Sequence, residues 1–294
     1  MNLLRIAIQK SGRLSDKSKS LLKECGIIIP ESKRTLKVKA LNYDVEILLL
    51  RDDDIPQYVQ DGIADLGILG QNEVEEKDKN VDTIKELGFS KCRLCLAIPK
   101  KMVATYDIEG INWFQGKSIA TSYPNVLRKC LEKRQIKADI HEIGGSVEIA
   151  PTIGLTDGIF DIVSTGATLL NNGLEEVETL MNSQAVLIAN KNLSVDKQNK
   201  LEDLIFRIEA VMNARGKKYV MLNAPNDERL QKIVALLPSH ESPTIMALED
   251  KQWKAIHTVM TEHDFWKIVR QLEKLGARGI LTTNIEKISP QEMA

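Results

Sequence analysis

The residues with the clearest chemistry are Asp161-Ile-Val-Ser164-Thr165-Gly166-Ala167-Thr168-Leu169. An apolar, strand-like run gives way to small hydroxyl and glycine residues and then to a helix start. Small side chains let consecutive backbone N–H groups converge on an anion, and the hydroxyls add donors without bulk. The segment is predicted to hold a phosphate; the plain alternative is a Ser/Thr cap on an ordinary helix. Its place at the C-terminal end of a strand favours the phosphate, because ligands of α/β folds gather there. Lys10-Ser11-Gly12-Arg13 follows the first strand in the same way, and its two cations suit either a polyphosphate or a solvated turn. Arg51 ends an apolar strand and precedes three aspartates. It is either a local ion pair at a helix start or a cation for phosphate, which its planar fork matches. Glu148, in Gly144-Gly-Ser-Val-Glu-Ile-Ala-Pro151, suits a sugar hydroxyl, magnesium or a helix N-terminus.

Composition narrows the classes. The chain has 294 residues, 40 Lys+Arg against 41 Asp+Glu, and 43% hydrophobic residues. At roughly 150 residues per domain this predicts about two domains. A net charge of −1 argues against a nucleic-acid partner, which a basic excess would mark. No apolar run approaches the roughly 18 residues that span a bilayer, and Leu3-Leu4-Arg5-Ile6-Ala7-Ile8 is no signal peptide, so a cytoplasmic protein without membrane contact is expected. Cys25, Cys92, Cys95 and Cys130 are too few and scattered for a disulfide framework, and Cys92-x-x-Cys95 has no second ligand pair for zinc. Gly110–Ser118 has five residues between its glycines where the Walker loop has four, and no G-x-G-x-x-G is present.

The elements that must position these residues follow from periodicity. Strands are predicted at Leu3–Gln9, Val45–Leu50 and Ala64–Leu69, with a helix capped by Ser15 after the first and another at Asp52–Gly62, with Pro56 in its first turn. Asp61-Gly-Ile-Ala-Asp-Leu-Gly-Ile-Leu-Gly70 returns as Asp157-Gly-Ile-Phe-Asp-Ile-Val-Ser-Thr-Gly166, and the same offset aligns Glu46-Ile47 with Glu142-Ile143. Two related α/β lobes with mostly parallel sheets are therefore expected, with a ligand cleft between them. Such a pair also suits a cytoplasmic ligand-binding or effector-sensing protein without catalysis. From Lys217 onward the order is β-α-β-β-α-β, the ferredoxin-like split unit. The predicted domains are lobe I at 1–101 plus 189–216, lobe II with the phosphate loop at 102–188, and a C-terminal domain at 217–294.

Five ordered motifs, Arg5-Ile-Ala-Ile-Gln-Lys-Ser-Gly-Arg-Leu-Ser15, Arg51-Asp-Asp-Asp-Ile-Pro56, Ile119-Ala-Thr-Ser-Tyr-Pro124, Gly145–Pro151 and Asp161–Leu169, together with Ser242-Pro-Thr-Ile245, resemble the long form of ATP phosphoribosyltransferase. This is the first enzyme of histidine biosynthesis. The resemblance implies an α/β fold of two periplasmic-binding-protein-like lobes with a ferredoxin-like regulatory domain. It implies a magnesium-dependent attack of N1 of the ATP adenine on C1 of phosphoribosyl pyrophosphate (PRPP), giving phosphoribosyl-ATP and pyrophosphate. By the same resemblance Lys10, Arg13 and Arg51 are the catalytic, polyphosphate-facing cations. Asp161, Ser164, Thr165, Gly166, Ala167 and Thr168, with Glu148, bind PRPP, and Glu148 also serves the metal. Arg13, Asp65 and Tyr123 border the ATP. L-Histidine, as feedback inhibitor, is expected near Thr244, Val259 and Gly279, although Asn223-Ala-Pro225 carries no carboxylate for its amine. AMP as a second inhibitor and a homo-oligomer passing from dimer to hexamer are implied as well.

Overall fold

The computed structural model describes residues 3–30, 35–164, 166–238 and 242–290. The chain divides into two compact units, Met1–Leu201 and Glu202–Ala294. No described helix is long and apolar enough to cross a membrane.

The first unit begins with β1 (Leu4–Gln9), α1 (Arg13–Glu24), β2 (Lys37–Lys39), β3 (Val45–Leu50), α2 (Ile55–Gln60), β4 (Leu66–Gly70), α3 (Gln71–Lys77) and β5 (Asp82–Glu86). It continues with β6 (Cys92–Pro99), α4 (Val103–Glu109), β7 (Ser118–Thr121), α5 (Pro124–Lys133), β8 (Asp139–Glu142), β9 (Gly158–Val163), α6 (Ala167–Asn171), β10 (Leu174–Ser183) and β11 (Ala185–Ala189), and α7 (Val195–Ala214) follows. These strands make two sheets, in the orders β2-β3-β1-β4-β11-β5 and β10-β6-β9-β7-β8.

The two sheets share one plan. In the first, β1 lies parallel to β3 and β4, and β11 and β5 continue antiparallel beyond β4. In the second, β7 lies parallel to β8 and β9, and β6 and β10 continue antiparallel beyond β9. The segments that repeat in sequence, around β4 and β9, thus occupy the same place in the two sheets. Each lobe also takes its first antiparallel strand from across a chain crossing. β6 follows lobe I in sequence and pairs in lobe II, whereas β11 follows lobe II and pairs in lobe I. The expected boundary at residue 101 therefore moves back to between β5 and β6. A periodicity argument sees an apolar strand at Cys92–Pro99 but not which sheet recruits it.

The central parallel strands β1, β3, β4 and β7 are rich in buried Leu, Ile, Val and Ala, as strands covered on both faces require, whereas the edge strand β8 is not buried. In lobe I, Ala7, Leu69, Val186 and Ile188 of the sheet pack with Ile55 and Val59 of α2. In lobe II, Leu94, Leu96, Ile119 and Phe160 pack with Trp113, Phe114, Val126, Leu127 and Leu131. One capping expectation fails. The α1 N-cap is Gly12, and Ser15 lies inside the first turn, buried, with its hydroxyl unpartnered among the described residues. The helix starts three residues before the expected position, so Ser15 faces the core instead of the helix end.

The second unit contains β12 (Lys217–Pro225), α8 (Glu228–Leu236), β13 (Thr244–Ala247), β14 (Trp253–Thr261), α9 (Glu262–Lys274) and β15 (Arg278–Asn284). Its sheet order is β13-β14-β12-β15, with every neighbouring pair antiparallel, as the split βαββαβ unit demands. Asp227 and Thr261 cap α8 and α9 through their side chains, so both helix starts match their sequence signals. Val220, Leu222, Ile233, Ile256, Met260 and Leu272 form its core.

Candidate functional site

Parallel strands present their C-terminal ends along one edge of each sheet, and in both lobes most of the residues expected to do chemistry lie there. In lobe I, Lys10 leaves β1 with its N–H bonded to the Leu50 carbonyl at 2.8 Å, which sets it beside Arg51 at the end of β3. Lys10 and Arg13 are exposed, whereas Arg51 reaches Asp53 at 3.2 Å. Its side chain is 79% exposed, and a pair so screened contributes little, leaving the guanidinium available to a phosphate at small cost. Gln9 Nε2 donates to Asp52 at 3.1 Å and ties the same two strand ends together.

In lobe II, β9 ends at Val163 and is followed by exposed Ser164, then Gly166, with exposed Ala167 and Thr168 opening α6. Thr165, expected to be part of this loop, lies outside the described residues. Gly166 has φ +79°, a left-handed conformation that a side chain strains, so glycine is required by backbone geometry as well as by bulk. Asp161 and Glu148 are neighbours. Burial first, with the Glu148 carboxylate adding to it, raises the Asp161 carboxyl above its ordinary range, while the Ile162 N–H at 2.7 Å pulls it down.

The two edges meet through Tyr123 and through polar side chains that belong to none of the sequence motifs. Glu73, buried in α3, accepts from the Tyr123 hydroxyl at 3.1 Å and from Asn72 Nδ2 at 3.1 Å. Asn72 in turn exchanges bonds with Ser183 at the end of β10. Buried Glu76 accepts from the backbone N–H groups of Asn125 and Val126, at 3.0–3.1 Å, and so caps α5 of the other lobe. Burial, then Asp52, raises the Glu73 carboxyl from 4.5 to about 7. Burial raises the Tyr123 phenol too, with Glu73, Asp161 and Asp52 adding to it, so these acids share one neighbourhood. The internal repeat was the available signal for Glu73: Gly70-Gln-Asn-Glu73 aligns with Gly166-Ala-Thr-Leu169 of the expected phosphate loop.

Three expected site residues are placed differently. Asp65 sits at the opposite, N-terminal end of β4, buried, accepting from the Arg5 N–H at 2.8 Å and from Lys197 Nζ at 2.7 Å. It ties β1, β4 and α7 together and does not border the cleft edge. Tyr123 lies at that edge, but it is buried with its hydroxyl spent on Glu73, so it serves the lobe junction. In the second unit, Thr244 and Val259 line one cavity of about 430 Å³ with Tyr219, Ser242, Met246, His257 and Thr258. Gly279 is on β15, across β12 from that wall, and does not line it. Among the described residues no group of three or more His, Cys, Asp or Glu could hold a metal by itself.

The ATP phosphoribosyltransferase family model matches residues 51–210, and the model of the HisG C-terminal domain matches 214–287. An ATP phosphoribosyltransferase of Bacteroides thetaiotaomicron is 54% identical over 288 residues, 97% of this chain and 99% of its own length. One of Cytophaga hutchinsonii is 53% identical over 286 residues, 97% and 98% of the two chains. Among solved structures, a chain of the ATP phosphoribosyl transferase (HisG:HisZ) complex from Thermotoga maritima superposes with a TM-score of 0.59 at 31% identity, over 70% of this chain and 99% of its own. Similarity of this depth, running through both lobes and the ferredoxin-like domain, makes the chain a long-form member of the ATP phosphoribosyltransferase family.

Proposed function

We propose that the facing edges of the two lobes divide the reaction between them, lobe II holding the 5-phosphate and ribose of PRPP and lobe I receiving the departing pyrophosphate beside ATP. The observation that carries this reading is the contrast between the edges: exposed Lys10 and Arg13 with loosely held Arg51 on one, and small, exposed residues around a left-handed glycine on the other. In the reaction the bond between C1 and a pyrophosphate oxygen breaks, the oxygen keeping the electron pair, and the bond from adenine N1 to C1 forms. Such a step needs charge stabilisation at the leaving group more than a strong base. Lys10, Arg13 and Arg51 supply it, and Ser164, Gly166, Ala167 and Thr168, with Thr165, anchor the far end of the sugar.

Magnesium fits this donor set in one way. Without a preformed cage, the ion would be held by substrate phosphates plus one or two carboxylates, as is usual for it, and the adjacent Glu148 and Asp161 supply those. Bound there, it would neutralise charge on the pyrophosphate. Both carboxylates also suit ribose hydroxyls. In the C-terminal domain, the cavity lined by Thr244 and Val259 offers hydroxyls and the Tyr219–His257 pair to L-histidine, the size of which it suits. AMP inhibition follows from sharing the ATP subsite. Assembly from dimer to hexamer and a cytoplasmic location complete the reading.

The test of the divided edges is the double variant Lys10→Met/Arg13→Met, with initial rates of phosphoribosyl-ATP formation as the measurement. Its kcat should fall about 100-fold, the cost of losing a preorganised charge contact, with the thermal midpoint unchanged because both side chains are exposed. An unchanged kcat removes these cations from the mechanism. Adding L-histidine to the same assay should slow the wild-type enzyme, and an unchanged rate refutes the regulatory cavity.

A further inference from the structure

Two acids of one helix reach from lobe I to lobe II, and they grip it in different ways. Glu73 and Glu76 lie three positions apart on α3, both buried. Glu76 takes hold of α5 by its backbone, through the N–H groups of Asn125 and Val126, and Asn125 Nδ2 returns a bond to the Glu76 carbonyl at 3.0 Å. Glu73 instead holds a side chain, accepting from the Tyr123 hydroxyl at 3.1 Å. Both ends of that bond are fixed in turn. Tyr123 stands two residues beyond β7, with its N–H bonded to buried Thr121 Oγ1 at 2.8 Å. Asn72 Nδ2 reaches Glu73 Oε1 at 3.1 Å and the Tyr123 oxygen at 3.4 Å, while Asn72 Oδ1 accepts from Ser183 Oγ at 2.8 Å.

One attachment between two lobes fixes a distance; a second, nearly a helical turn away, also fixes an angle. Here the second is costly. Burial, then Asp52, disfavours the Glu73 carboxylate and raises it to about 7, with Asp53 adding to this and the Tyr123 bond and Lys77 opposing it. For adhesion alone, well-packed apolar side chains of similar volume do as well as such a group. What a satisfied buried polar network supplies is a single arrangement. Its place in the sheets shows which arrangement that is. β4, which leads into α3, lies beside β1, whose end carries Lys10; β7 lies beside β9, whose end leads to Ser164 and Gly166. The tie therefore joins the strand next to the cationic edge to the strand next to the turn of small residues.

We propose that Glu73, acting through Tyr123, is a positioning residue of the reaction, fixing the spacing of the two lobe edges at which N1 of ATP and C1 of PRPP come within reach. The inference rests on the reading that gives ATP to lobe I and the phosphoribosyl end of PRPP to lobe II. Attack requires the two atoms about 3–3.5 Å apart, so an error in the spacing of the lobes falls on the chemical step and not on the hold of either lobe on its own substrate.

The test measures kcat, KM for each substrate and the thermal midpoint of the full-length enzyme in Tyr123→Phe, Glu73→Leu, Glu73→Gln and Lys10→Met/Arg13→Met. Tyr123→Phe and Glu73→Leu should each lower kcat about tenfold to a hundredfold, the penalty for roughly 1 Å of misplacement, with both KM values within about threefold. Glu73→Gln should recover most of the loss, because an amide oxygen still accepts from the phenol. The Tyr123→Phe/Glu73→Leu double variant should be no worse than the poorer single one, since both remove the same tie. Midpoints should fall by only about 2–4 °C, as for one lost hydrogen bond, so that rates at 25 °C report folded enzyme. A rise in KM for ATP alone in Tyr123→Phe overturns the proposal, because the phenol is then an ATP ligand. A Glu73→Gln variant as slow as Glu73→Leu overturns it too, since charge and not the tie is then what matters. If Tyr123→Phe and Glu73→Leu lower the midpoint but leave kcat unchanged, while Lys10→Met/Arg13→Met slows the enzyme, the tie is structural and the divided edges stand. If none of these variants lowers kcat, the divided-edge reading itself falls.

Discussion

The turn after β4 and the turn after β9 occupy the same place in two lobes built to one plan, and they have been put to opposite uses. After β4, Gly70 has φ −72° and leads into Asn72 and Glu73, both buried at the lobe junction. After β9, Gly166 has φ +79° and leads into exposed Ala167 and Thr168. The first glycine is needed for space, since a Cβ there would come within 2.3 Å of Asn72 Oδ1, whereas the second is needed for its backbone conformation, with open surroundings. The contrast teaches that topology brings a turn to the cleft edge, and side-chain size then decides its role. Long polar side chains fill the first turn and bolt the lobes together; the second carries short, exposed ones.

Charge breaks the comparison most sharply, because only the β4 turn carries a buried acid. Glu73, raised from 4.5 to about 7 chiefly by burial, binds its proton in the folded chain over a range where the unfolded chain has lost it. Its contribution to stability is therefore full below about pH 4.5 and is lost as pH rises through about 7. Glu73→Gln, neutral throughout, should gain up to about 3 kcal/mol on the wild type between pH 4 and pH 8 in denaturant titrations. Parallel stability curves would show that Glu73 does not titrate as placed. The β9 turn responds to shape instead. Gly166→Val should raise KM for PRPP about 100-fold, with about 1–2 kcal/mol lost in urea unfolding from the strain of a β-branched residue at this backbone. A loss of stability alone would make the turn an ordinary cap. The smallest effect is expected where the lobes are capped: Glu76→Ala should cost about 2 kcal/mol in urea unfolding, by leaving two N–H groups of α5 unmet. No loss there would mean that water replaces the carboxylate.

Much of this arrangement was legible in the chain. Val45–Leu50 forms a strand at its expected bounds, because an apolar run of that length between turn signals has few alternatives. The repeat forecast two like lobes, and their matching strand orders bear that out. The βαββαβ order of the tail forecast its sheet. Lys10, Arg13, Arg51, Glu148 and the loop after Asp161 all lie at strand C-terminal ends, as their motifs suggested. What escaped were partnerships between distant residues. Ser15 has the chemistry of a cap, but the helix starts before it. Asp65 lies in a repeated motif, yet it pairs with Lys197, 132 positions away. Arg93 pairs with Glu176, 83 positions away, and neither carries a local signature.

The sequence by itself determined most of the strands, the doubled plan, a turn of small residues after β9 and the family, because each is written in side-chain periodicity, small-residue spacing or ordered motifs along a short stretch. Only the tertiary structure decided which sheet recruits β6 and β11, that Glu73, Glu76 and Tyr123 join the lobes, and that Asp65 stands at the far edge. Those outcomes depend on which distant groups lose their water together. A buried carboxylate must find its donors wherever the fold brings them, and that choice has no period in the chain.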